Sequence, residues 1–134
     1  AKDFAAARDL WTRRGDSEES RVMLEVLAAL ENPQLRPRAL LAIRELPPWN
    51  FLPFRGRLFA ACLLGDRDAE VEAATAGVDA GMEASDNWWI REAAPLRSDS
   101  RFAALAERMS FVAYWREYGW PDDCEADGSA LACK

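Results

Sequence analysis

Few residue types in this chain could do chemistry. Histidine is absent altogether. That removes serine–histidine–aspartate and cysteine–histidine nucleophiles, imidazole metal ligands and imidazole pH switches. Three cysteines remain: Cys62, Cys124 and Cys133. Cys62 falls on an apolar helical face and reads as a small buried hydrophobe. Cys124 and Cys133 flank the segment EADGSALA near the end of the chain. That spacing permits a disulfide, and two unpaired thiols are the alternative. Two cysteines without histidine make a poor ligand set, so no metal and no cofactor are expected. The acids offer two adjacent pairs, Glu18–Glu19 and Asp122–Asp123. Carboxylates facing each other across a cleft can serve as acid and base. Adjacent acids in turn-prone sequence read instead as solvated surface. The motifs GxxxxGK, GxGxxG and CxxC are all missing. The chain therefore reads as a binding protein and not an enzyme.

Aromatic rings carry the remaining recognition chemistry. The stretches PPWNFLPF and NWW put Trp49, Phe51, Phe54, Trp88 and Trp89 near helix ends. Such rings either pack between helices or wall a groove for a peptide or apolar ligand. Trp49, Phe51, Trp88 and Trp89 are the candidate groove residues.

The elements that must position these side chains are helical. The chain has 134 residues, half of them hydrophobic and 30% charged, which suits one globular domain. It lacks an initiating Met and reads as a fragment or processed product. No secretory signal opens it, and no apolar run approaches the roughly 20 residues that span a bilayer. The net charge of −6 argues against nucleic-acid binding by this region. Charge is uneven: residues 1–60 sum to +2 and residues 61–134 to −8. The acidic half reads as solvated surface or as a docking face for a basic partner.

An amphipathic opening (Phe4, Ala7, Leu10, Trp11) ends at Gly15, and Asp16 with Glu19 reads as a capping box. A second stripe follows at Val22, Met23, Val26, Leu27 and Leu30. Pro37 suits the first turn of a third helix carrying Leu40, Ile43 and Leu46. The segment 47–53 then breaks the chain, and a fourth helix runs from about Phe54 to Leu64. The fifth carries Val71, Ala74 and Val78, with Gly77 and Gly81 allowing close helix approach. Ser85 or Asp86 would cap a short sixth helix limited by Pro95. Ser98 or Asp99 would cap a seventh (Phe102, Leu105, Met109), and the last holds Phe111, Trp115 and Tyr118. No strand is evident, and residues 121–134 read as an irregular tail. Short connectors make consecutive helices neighbours, so an all-α bundle or solenoid of hairpins is expected.

The segment LLGDRDAEVEAATAGVDAG (63–81) resembles the middle of a tetratricopeptide repeat, with Gly65 at the turn and Ala74 and Gly77 at packing positions. Glu70 stands where the repeat usually has a small Ala. The segments LRSDSRFAALAERMSF and YWREYGWPDDC resemble the closing part of bacterial tetratricopeptide-type proteins. Leu96, Arg97, Asp99, Arg101, Phe102, Leu105, Tyr114, Trp115, Arg116, Gly119, Pro121, Asp122 and Cys124 carry that likeness. Ser100 replaces the family's usual Pro. The resemblance covers about 63–124 and implies a short solenoid of antiparallel helical hairpins. A capping helix would close it, with Trp115 as an end plug. Such tails often hold two cysteines, so the resemblance also favours a Cys124–Cys133 staple. That would imply an oxidising space, the bacterial periplasm, with the cytoplasm as the alternative.

The resemblance further implies one domain, residues 1–134, acting as the sensory or interaction part of a larger bacterial regulator. Hairpins would occupy 1–64, repeat-like and capping helices 65–120, and the tail 121–134. The head domain, winged-helix or cyclase, lies outside this chain. The expected partner is a protein or peptide, with a small ligand or a second copy as further options. A purely structural oligomerisation module and a small helical enzyme using carboxylates are the competing readings.

Overall fold

The structure, a computed structural model, describes residues 3–47, 56–81, 88–127 and 130–133. The described part is mainly helical. Its elements are α1 (Phe4–Arg13), α2 (Glu18–Glu31), α3 (Arg36–Glu45), α4 (Gly56–Leu64), α5 (Arg67–Asp79), α6 (Ala94–Arg97), α7 (Phe102–Arg108) and α8 (Phe111–Tyr118). Two short strands, β1 (Cys124–Asp127) and β2 (Ala130–Cys133), follow.

Local chemistry sets most of these boundaries. Asp3 accepts from the Ala6 N–H at 2.9 Å and starts α1, and Gly15, at φ 87°, turns the chain after it. The cap of α2 is Ser17, one residue beyond the expected Asp16, and its hydroxyl accepts from the Ser20 N–H at 3.1 Å. Serine wins there because its extended backbone presents the hydroxyl to the open N–H groups of the first turn. Asn32 closes α2 in extended geometry, and Pro37 sits in the first turn of α3 as expected. Gly65, at φ 66°, and Asp66, which accepts from the Ala69 N–H at 3.1 Å, form the α4–α5 corner. Arg36 reaches this corner from α3, donating to the Leu64 carbonyl at 2.9 Å and to Asp66 at 3.3 Å.

The hydrophobic residues form two clusters that share α4. The first joins Trp11, the α2 stripe, Ala39, Ile43 and Leu46 to Ala60, Ala61 and Leu64. The second joins Leu58 and Cys62 to Ala73 and Ala74 of α5, to Trp88 and Ile90, and to the apolar faces of α7 and α8. Opposite faces of α4 thus enter different clusters, which is why that helix is apolar nearly all round. On α5 the buried face is small, Ala73, Ala74 and Gly77, and α4 and α7 both pack on it.

Four expectations need correction. Gly81 lies beyond α5, at φ 74°, where it ends the helix instead of packing inside it. Pro95 lies in the first turn of α6 and starts that helix, since its missing N–H has no helical partner to lose there. Glu19 is not freely solvated: it is half-buried and accepts from the Gly56 N–H at 3.3 Å, tying α2 to α4. The tail is not irregular. β1 and β2 pair antiparallel, Cys124 opposite Cys133, and a disulfide joins the two. The expected helix-breaking segment and the Ser85 or Asp86 cap lie outside the described residues, except for Pro47 and the residues from Trp88 onward.

Candidate functional site: an aromatic groove at the C-terminal end

The α7–α8 corner is the first positioning element. α7 ends at Arg108, and Ser110 takes a left-handed conformation, φ 61° and ψ 13°. A residue with a Cβ seldom adopts that geometry. It breaks what would be one continuous helix. Met109 and Phe111 are thereby held on either side of a sharp turn.

Arg97 is the second. Its side chain is buried, and its Nη1 donates to the carbonyls of Trp88 at 2.7 Å and Ile90 at 3.2 Å. Its Nη2 reaches Asp123 at 3.5 Å. Its guanidinium lies 5.3 Å from the centre of the Trp89 ring. One side chain therefore fixes the 88–90 segment, supports Trp89 and ties both to the turn before the hairpin. Among the described residues the Arg97 Nε has no hydrogen-bond partner.

These two devices shape a groove of about 550 Å³. Its walls are Trp89, Met109, Phe111, Tyr114, Trp115 and Pro121, with Ser110 at the turn. The rings are mutually ordered. Trp89 meets Trp115 edge-on at 5.9 Å, Phe111 lies 5.5 Å from Trp115, and Trp120 lies 6.0 Å from it on another side. Trp115 itself is buried, so it anchors the floor. Tyr114 and Tyr118 stand outside, 57% and 67% exposed, with ring centres 4.7 Å apart. Two adjacent, mutually tilted rings in water are an open recognition surface.

The candidate groove residues from sequence separate here. Trp88 is buried and packs edge-on against Phe102 and Phe111, in the second cluster. Trp89 is half-buried and forms a groove wall. Trp49 and Phe51 lie outside the described residues. Sequence reasoning missed Met109, Phe111 and Tyr114 as groove residues, because helical spacing assigns such side chains to a core. It gave Arg97 no role beyond the family likeness, although a basic residue between an aromatic segment and an acidic turn was the available signal.

A second hollow lies between α2 and α3, about 510 Å³, among Glu18, Arg21, Glu25, Arg38 and Leu41. The Arg38–Glu25 ion pair lies among these residues, so part of the polar lining is already paired. Among the described residues no three of the ligating types gather as a metal set, and no helix is long and apolar enough to cross a membrane. Cys62, Glu70 and Asp99 have displaced titrations. Burial pushes the Cys62 thiol up to about 12, which keeps it protonated and unreactive. Glu70, fully buried at the start of α5, is pushed above the ordinary carboxylate range by burial, against the pull of its partner Arg67. Among the described residues its Oε1 has no hydrogen-bond partner. Asp99 is held down at about 2 by the Arg101 side chain and backbone N–H.

No family model, curated protein or solved structure matches the chain.

Proposed function

We propose that this chain is a protein-interaction module that recognises a segment of another protein in the groove between α8 and the 119–121 turn. The observation that carries the reading is the exposed Tyr114–Tyr118 pair beside a preformed aromatic slot. Aromatic anchors in a rigid pocket supply most of the binding energy in protein interfaces. The reading is recognition without catalysis, and the groove walls offer rings and a thioether in place of a nucleophile–base pair.

The same reading extends to context. Consecutive helices from α1 to α6 pack on one another, as do α7 and α8, and α2 with α4 and α5 with α7 also make contact. Stacked hairpins make contacts of both kinds, which supports a tetratricopeptide-like solenoid closed by α7, α8 and the hairpin. The likeness of the closing segment supports a place as the C-terminal sensory part of a bacterial regulator with a separate head. The Cys124–Cys133 disulfide supports an oxidising compartment, the periplasm.

A photo-crosslinking amino acid at position 114 tests the reading in the producing cell. The expected result is one discrete adduct, absent when the crosslinker replaces Leu41 and displaced by excess wild-type chain. Equal adducts from both positions, or none from 114, would refute it.

A further inference from the structure

The groove's surroundings indicate what kind of segment it takes, an inference that rests on the reading of the groove as a docking site. Elsewhere on the surface arginines neutralise acids: Arg8 with Glu31, Arg38 with Glu25, Arg44 with Glu72, Arg108 with Asp79. Among the described residues beside the groove, most acids lack an ion-pair partner. Residues 109–125 carry Glu117, Asp122, Asp123 and Glu125 against a single cation, Arg116. All four acids are exposed. Among the described residues only Asp123 has an ion-pair partner, Arg97, at 3.5 Å. Glu117 follows Tyr114 by three residues and so shares its side of α8. Asp122 follows Pro121, which is itself a groove wall.

An apolar slot, two exposed aromatic faces and uncompensated acids together match one ligand chemistry. A guanidinium or ammonium group is attracted to a tyrosine face and to carboxylates at once. We infer that the groove binds a basic segment of a partner protein, with an apolar side chain in the slot and an Arg or Lys over the Tyr114–Tyr118 pair. The acidic edge would also speed encounter with such a segment and make binding weaken with salt.

The test is selection of a displayed library of random 12-residue peptides on the 134-residue chain in 150 mM salt, followed by titration of the enriched sequences as synthetic peptides. Two variants accompany it. Tyr114→Ala removes an exposed ring. Glu117→Gln/Asp122→Asn/Glu125→Gln removes the charge and leaves the rings. The expected result is enrichment of positively charged peptides that carry an apolar residue, bound at least tenfold more weakly by each variant and more weakly as salt rises. Neutral or acidic peptides that still depend on Tyr114 would keep the groove as a docking site and overturn the basic occupant. Absence of any Tyr114-dependent peptide would overturn both. A concentration-dependent dimer that Tyr114→Ala dissolves would assign the groove to a second copy and overturn the partner segment.

Discussion

At the scale of single residues, two buried charged groups are handled differently. Arg97 donates to two backbone carbonyls, those of Trp88 and Ile90, and the Ile90 carbonyl also accepts from the Ala93 N–H. A hydrogen bond from a charged donor contributes about 1.5–3 kcal/mol, which offsets part of the cost of burying the guanidinium. Glu70 has one partner and one bare oxygen. Its folded pKa is raised, so the stability tied to its protonated form is fully present below the unfolded value. That stability is lost as pH rises through the folded value. Glu70→Gln removes this dependence. The variant should melt a few degrees above wild type at pH 7–8, on the order of 1 kcal/mol, and the gap should close toward pH 4. Thermal melts across that range decide it. A Gln variant that melts lower at pH 8 would mean that the Arg67 pair outweighs the burial of the charge. Neither group's burial could be read from the sequence. Arg97 needs carbonyls seven to nine residues earlier, and Glu70 occupies a position whose helical spacing suits either surface or core.

Among the elements, the helices were legible where a glycine marks an end, as at Gly15 and Gly65. Proline was ambiguous, because Pro95 in a first turn looks in sequence like Pro95 after a last one. The hairpin was invisible. Its strands are four residues each and rich in alanine, which has little strand preference. Their pairing rests on the cross-link, which contributes about 2–3 kcal/mol in the chain-entropy model, and on Leu131 and Cys133 packing against the second cluster. The corner at Ser110 was equally hidden. Met109, Phe111 and Trp115 keep helical spacing, but the left-handed residue between α7 and α8 redirects them into a groove wall. This yields a prediction about the corner. Ser110→Gly should hold or raise the melting temperature, and Ser110→Val should cost about 2 kcal/mol, because a β-branched residue tolerates that backbone poorly. Denaturant unfolding of both variants measures it, and equal stability of Val and Ser would show that the corner carries no backbone strain.

For the whole molecule, the two clusters joined through α4 leave the chain with unlike ends. The α1–α3 end is crossed by ion pairs and presents polar hollows. The α7–α8 end gathers Trp88, Trp89, Trp115 and Trp120, closes with a stapled hairpin, and keeps its tyrosines and acids outward. The central claim is that this second end both caps the core and recognises a partner. The indole N–H signals of the six tryptophans report on it directly. Nitrogen-15 spectra should be recorded while the tightest peptide from the library selection is added. The account predicts that the Trp89 and Trp115 signals move while that of Trp11, in the first cluster, stays fixed. Movement at Trp11 and the α2–α3 amides, with Trp89 and Trp115 unchanged, would contradict it.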